Sequence, residues 1–598
     1  MPLAARLRFV TPRVLPLRHL RVVPSIPVTL LAILLVGCAA PSGSLPGRYY
    51  RLMEAGMPPV ERRLETAEPR AGLAELEATP PLKDFPSAIL AAAVLYTSSH
   101  PANTGRGDPR WLGLALRIGD LLAAESAQGP PRERVDHREI YLWLESYRLL
   151  ADHLGEERRA RWRTEIERNV GALAVAVAAR EHFPRYQSPF IGTSTNHYAL
   201  WVSTVYLAGI VFGNGEWEEL GRRVMRRFAA QEQAPDGYWG EHSDAGPTTG
   251  YDYLTFTGVA LYAEHSEDAA AVEALRRGTE FHAHFTWPDG TPVEVINDRN
   301  RRWSVDPWGH FGFSRFPDGR RYAEFLTAFF QEGRGGLEML GRIAQNALYF
   351  HEGPVAAIPQ DRPQYSYRMR VPAGIRKREP WTIALSGLTS AQPVANQFFL
   401  DRQCHLSIFH EKLGLIVSGA NSKRQPELAT FRETVRGRTS HLPISTALRM
   451  EPSLDRLSLA YNTFFADLEV PEPSRQRVAF RFAVTEMGRV EEAQLAIQLV
   501  LRPGELLETG KSKVLLGTDR VELGPEEVDG IVRHRGWSLQ FDSPGRLVWP
   551  VFPYNPYANA PETSLGLAVG VLTVPIRPQE VGGRFRKQDI RFVLETAK

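Results

Sequence analysis

Thr193-Ser194-Thr195-Asn196-His197-Tyr198-Ala199-Leu200-Trp201 opens a run that reads as helix from 196 to 212. Ser194, Thr195 and Asn196 form a good N-cap sequence before an apolar stretch. The same reading extends in both directions. Helical segments at 88–95, 111–124, 139–154 and 157–178 precede it, and segments at 216–233, 251–263, 269–284 and 337–349 follow. In 139–154, Ile140, Trp143, Leu144, Tyr147 and Leu150 recur at three- and four-residue spacing, the period of one helix face. No clear strand separates these segments, which argues against a Rossmann-type or barrel fold. Serial helical hairpins without strong repeats predict an α/α toroid over residues 81–351, its inner helices surrounding a cleft. Two loops, 233–250 and 286–318, are long and rich in Gly, Pro, Asp, Trp and His. Long structured loops in compact domains usually carry function.

Beyond Pro354 the pattern changes. Proline recurs as far as Pro380, and then short apolar or alternating runs appear at 382–385, 406–409, 415–418, 478–484, 496–501, 513–516 and 565–574. Gly, Pro, Asp and Asn separate them. This density of short strands and turns predicts an antiparallel β-sandwich over residues 352–598. The fold class is therefore α+β and multidomain, a toroid followed by a sandwich. A chain of 598 residues has room for two such cores.

Residues 1–37 hold five arginines (Arg6, Arg8, Arg13, Arg18, Arg21), no acid, and an apolar run at 26–36. That run is too short for a permanent span, so the segment reads as an export signal. Leu35-Val36-Gly37-Cys38 resembles the bacterial lipoprotein cleavage box. The resemblance implies a lipidated Cys38 holding the protein to a lipid bilayer at the bacterial cell envelope. Residues 38–80, rich in Pro, Gly, Ala and Glu, read as a tether. Without the signal, 66 of the 71 basic residues remain against 68 acidic ones. No global positive field is left to hold nucleic acid. Cys404 then has no partner, so an exported chain without a disulfide must rely on its core.

Asn196-His197, the segment Pro235-Asp236-Gly237-Tyr238-Trp239-Gly240-Glu241, and then Tyr251 give the chain a further likeness. Together with a toroid followed by a large β domain, they resemble the heparinase II/III-like and alginate-lyase-like polysaccharide lyases. The family places Asn, often followed by His, at its site, and then a segment of the form Asp-Gly…Glu…Tyr. Tyr251 stands ten positions after Glu241, farther than is usual there, so Tyr253 is the alternative tyrosine. The family's His-rich strand has its nearest counterpart in Cys404-His405-Leu406-Ser407-Ile408-Phe409-His410.

The resemblance implies β-elimination on a uronic acid in an acidic polysaccharide. Removing the proton at C5 places negative charge beside the carboxylate. The site must therefore neutralise the carboxylate, take the proton and protonate the departing O4. The amide of Asn196 suits the first task, and Arg299 and Arg302 of the arginine-rich loop suit a bidentate grip. His197 suits the base or neutraliser role near neutrality. Tyr251, of a residue type that ordinarily titrates near pH ~10, suits the acid role, and the base role if a nearby cation stabilises its phenolate. Trp239, Trp303 and Trp308 suit stacking on sugar rings, with Glu241 and Tyr253 as further substrate-binding candidates. Each has a structural alternative: Asn196 as a helix cap, His197 as a structural imidazole, Tyr251 and Tyr253 as core aromatics. His405 and His410 read as domain-interface residues, and Asp318-Gly319 as a turn.

A glycoside hydrolase on the same scaffold would need two facing carboxyl groups, for which Glu241, Asp244 and Asp252 are available. A glycan-binding lipoprotein without turnover is the third reading. No His-Glu-x-x-His spacing is present, and no cofactor is expected beyond a structural ion that the β-domain histidines leave open.

Overall fold

The computed structural model describes residues 44–67, 85–127, 139–242, 246–299, 304–333, 335–389, 396–488, 491–581 and 585–596. Its first part is helical: α1 (Leu45–Gly56), α2 (Pro58–Ala67), α3 (Phe85–Thr97), α4 (Pro109–Ala127), α5 (Ile140–Leu150), α6 (Glu156–Ala178), α7 (Ser188–Ile191), α8 (Thr195–Phe212), α9 (Gly215–Arg227), α10 (Thr249–Ser266), α11 (Ala269–His284), α12 (His310–Phe313), α13 (Pro317–Thr327) and α14 (Glu338–Tyr349). Helix α8 packs on α6, α9 and α10, while α3 packs on α4, α5 and α14. This is the α/α toroid, and an antiparallel β-sandwich follows it.

Helices α3 and α8 are mostly apolar, and most of their side chains are buried. That composition marks inner helices. Gly258 lets α10 approach α8: a Cβ there would stand 2.9 Å from the Ala199 carbonyl carbon.

Three parts of the sequence reading are corrected in the fold. Within the segment read as tether, Leu45–Ala67 is folded into α1 and α2. Tyr49, Met53, Met57, Val60 and Leu64 are buried, and the Tyr49 hydroxyl lies 2.8 Å from His310 Nδ1. Those five residues recur every three or four positions, so the segment buries a helical stripe despite its polar composition. Asp318-Gly319 is not a turn but the first turn of α13, which Pro317 opens as proline can at a helix start.

The sandwich holds two large antiparallel sheets. Among the described residues, eleven strands form one sheet, from Gln364–Arg368 through Gly414–Ser418 and on to Glu492–Leu499, Val569–Pro575 and Arg546–Val551. Ten strands form the other, with Arg477–Glu486 and Phe585–Thr596 at its centre. Val478, Phe480, Phe482 and Val484 alternate inward. Phe480 pairs with Phe592, ring on ring at 4.9 Å. Burying an aromatic or branched side chain of this kind stabilises by roughly 1.5–3 kcal/mol. His405, read as an interface residue, lies inside the sandwich. Its Nδ1 is 2.8 Å from the Ser386 carbonyl and its Nε2 3.0 Å from the Tyr461 hydroxyl.

A third hydrophobic cluster joins the two parts, with Phe281, Trp287 and Val295 from the helical side and Ile375, Ala384 and Phe409 from the sheet side. Trp287 stacks on Phe409 at 5.4 Å. The buried Glu294 carboxylate accepts from the Ser407 hydroxyl at 2.7 Å, the Gly419 N–H at 3.1 Å and the Trp287 indole at 2.8 Å. Arg402, 1% exposed, donates to the carbonyls of Ile296 and Pro247. The loops of the toroid are thus fixed against the sheet, and the candidate site lies along this seam.

Candidate active site

The N-terminus of α8 supplies Asn196 and His197. Asn196 is fully buried. Its backbone N–H donates to Glu241 Oε1 at 3.2 Å, and its side-chain amide donates to the same oxygen. Asn196 is therefore not the helix cap; Ser194 holds that position, without a side-chain capping bond. The carboxylate of Glu241 serves in its place, since an anion at a helix N-terminus satisfies free N–H groups and the helix dipole. His197 follows on the same turn and is half-buried.

Glu241 Oε2 accepts from Arg299 Nη1 at 3.0 Å, and the same nitrogen donates to His242 Nε2 at 3.3 Å. Burial pushes the Glu241 carboxyl up, and the neighbouring guanidinium only partly opposes it. Burial pushes His242 down to about 4, which favours the neutral ring whose Nε2 accepts from Arg299. The Arg299 guanidinium then lies 4.5 Å from the centroid of the Tyr251 ring and 4.9 Å from that of Phe398. Tyr251, half-buried, ends the series with its hydroxyl 2.5 Å from that of Tyr557. Asn196, Glu241, Arg299, Tyr251 and Tyr557 thus form one continuous chain of contacts from the toroid to the sandwich.

Other candidates do not join it. Trp239 is 1% exposed and its indole donates to the Phe228 carbonyl at 3.0 Å; it is a core residue, not a stacking platform. Tyr253 is buried, stacks on His282 at 3.9 Å and bonds the Tyr322 hydroxyl at 2.6 Å. Burial raises it to about 12. Two residues along a helix turn a side chain about 200° from Tyr251, which places Tyr253 inside. Asp252, wholly buried, accepts from the Trp239 N–H at 2.7 Å and lies 3.0 Å from His282 Nε2. Glu241 is 1% exposed, so it orients Arg299 and Asn196 and does not face a ligand. Trp308 is 8% exposed, with the Arg342 guanidinium 3.8 Å over its ring. Cys38, Asp244, Arg302 and Trp303 lie outside the described residues.

The sheet side brings residues that the sequence reading missed. Phe399 meets the His242 ring edge-on at 4.6 Å. Two positions on, buried Asp401 lies 3.3 Å from Lys423 Nζ and 3.2 Å from His441 Nε2. Burial pushes the Lys423 ammonium down. Tyr557 sits in Asn555-Pro556-Tyr557-Ala558-Asn559. An aromatic among turn residues was the one available signal there, and it does not say which residue lies opposite. Among the described residues no group of three or more His, Cys, Asp or Glu could hold a metal ion. Nor is any described helix long and apolar enough to cross a membrane.

No protein-family model matches the chain, and no curated protein does. Among solved structures, it is similar to a mutant of heparan sulfate lyase HepC from Pedobacter heparinus. The identity is 11%, the likeness covers 86% of this chain and 76% of that one, and the TM-score is 0.48. A heparinase III gene product is similar at 11% identity, covering 82% of this chain and 75% of that one, with a TM-score of 0.47. An unsaturated glucuronyl hydrolase from Bacillus sp. GL1 is similar at 12% identity over 44% of this chain and 84% of that one, with a TM-score of 0.32.

Proposed function

We propose that the protein is a polysaccharide lyase that cleaves a uronic-acid-containing polysaccharide by β-elimination, and that it is exported and held at the bacterial envelope through a lipidated Cys38. The observation that carries the catalytic reading is the Arg299 guanidinium on the face of the Tyr251 ring. A guanidinium on the ring face holds the phenol in one orientation at the seam. The same guanidinium, fixed by Glu241, is a preorganised positive group for a substrate carboxylate.

In this reading His197 takes the proton from C5. The electron pair moves toward the carboxylate, and Arg299 balances the charge. The C4–O4 bond then breaks, a C4=C5 double bond forms, and Tyr251 gives its proton to the departing O4. Asn196 acts at one remove, by holding Glu241. The buried positions of Glu241 and Asp252 weigh against a hydrolase that uses them as its carboxyl pair, because both must face the glycosidic bond.

The test follows ultraviolet absorbance while the soluble chain, truncated after Cys38, meets a panel of uronate polymers. A lyase generates a conjugated double bond that absorbs; a hydrolase or a binding protein does not. Tyr251→Phe should lower turnover by roughly 10²–10⁴-fold, the usual contribution of a positioned acid or base. Full activity in that variant contradicts the assignment.

A further inference from the structure

Tyr557 lies 306 positions from Tyr251 in the chain. It stands at the tip of the hairpin formed by Tyr554–Asn555 and Ala560–Pro561. The tip is held from several sides. The N–H of Tyr557 donates to Asn555 Oδ1 at 2.9 Å, and the N–H of Tyr554 donates to Ser422 Oγ at 3.0 Å. The Pro556 carbonyl accepts from Gln397 Nε2 at 3.0 Å. The Phe398 ring lies 5.8 Å from the Tyr557 ring and also faces the Arg299 guanidinium. Half of Tyr557 is exposed, and its hydroxyl meets Tyr251 Oη, with the Arg299 guanidinium as a second neighbour. Partial burial and the neighbouring phenol push the Tyr557 hydroxyl up, so it is equipped to donate.

We propose that Tyr557 is a positioning residue supplied by the sheet domain: its O–H donates to Tyr251 Oη and stabilises the negative charge gathering there as Tyr251 yields its proton to the departing sugar oxygen. This rests on the lyase reading above. Tyr557 keeps its own proton throughout. The proton taken from C5 returns through solvent to Tyr251, so no co-reactant is required. A donor to a charged oxygen is worth more than one to a neutral oxygen, so the bond strengthens as charge develops, as transition-state stabilisation requires.

The experiment compares wild type with Tyr557→Phe in the full soluble chain, on a uronate polymer that the wild type cleaves. Loss of the hydroxyl should lower kcat roughly tenfold to a hundredfold, with KM unchanged within about twofold. In both proteins, tyrosine labelled with ¹³C at Cζ gives a second readout, with the Tyr251 signal assigned by its absence in Tyr251→Phe. That signal should move in Tyr557→Phe. An unchanged or raised kcat in an active enzyme overturns the proposal and makes Tyr557 a plug over the site. An unmoved Tyr251 signal overturns it as well, because the two phenols are then not bonded. A wild type that cleaves none of the panel fails the lyase reading by itself, and the labelled signal then decides the phenol pair separately.

Discussion

Tyr251 and Tyr253 stand two residues apart on α10 and meet opposite surroundings. Tyr251 faces the seam, under a guanidinium and against a phenol from the other domain. Tyr253 faces the toroid interior, against His282 and the Tyr322 hydroxyl. Sequence spacing left both open as the reactive tyrosine. What separates them is the setting: one ring has a guanidinium on its face and is half-exposed, while the other is packed inside among His282, Phe313 and Tyr322. The same division sorts the rest of the candidates. Arg299 lies with Tyr251, and Asp252 and Trp239 lie with Tyr253.

Substitutions on the two sides should fail in different ways. The largest stability effect is expected for Glu241→Gln on the seam side. Removing the charge from a buried pair strands its partner, at a cost of about 3 kcal/mol. Activity should fall with it, because Arg299 loses its anchor. Denaturant unfolding measured beside turnover would show both losses, and a stable but inactive variant would make Glu241 a direct participant instead.

A second effect belongs to the sandwich interior. Burial pushes His405 down to about 4 from an ordinary 6.5. The folded protein therefore keeps this ring neutral where the unfolded chain binds a proton. Stability should fall as pH drops from 6.5 toward 4, by about 1–3 kcal/mol for one such imidazole. His405→Gln should flatten that slope in unfolding measured across this range; an unaltered slope would place the effect on other groups. The smallest change is expected for Tyr253→Phe, which removes one buried hydrogen bond worth about 1 kcal/mol and should leave turnover intact. Loss of turnover there would erase the contrast between the two tyrosines.

The helices were legible because inner and amphipathic helices write their period into the chain. The reading of 196–212 as helix meets α8 at Thr195–Phe212, and 269–284 meets α11 at Ala269–His284. Helices α1 and α2 were passed over because 38–80 is rich in Pro, Gly, Ala and Glu, although the stripe from Tyr49 to Leu64 carried a helical period. Many short strands went unread, since a five-residue run such as Phe431–Val435 holds too few alternations to stand out. The candidate site was half legible. Asn196 and Tyr251 were nominated by the family resemblance and the chemistry it implies, and Arg299 by its arginine-rich loop. That Glu241 would link the first two, and that Tyr557 would reach the third, depends on how the two domains meet. No local pattern encodes that.

The central claim is that the cation-faced tyrosine at the seam, and not its buried neighbour, performs the proton transfer of an elimination. The most direct measurement is ultraviolet absorbance during digestion of a uronate polymer by wild type, Tyr251→Phe and Tyr253→Phe in parallel. Rising absorbance in wild type and Tyr253→Phe, with almost none in Tyr251→Phe, is the predicted result. Equal rates in all three, or loss confined to Tyr253→Phe, would contradict it.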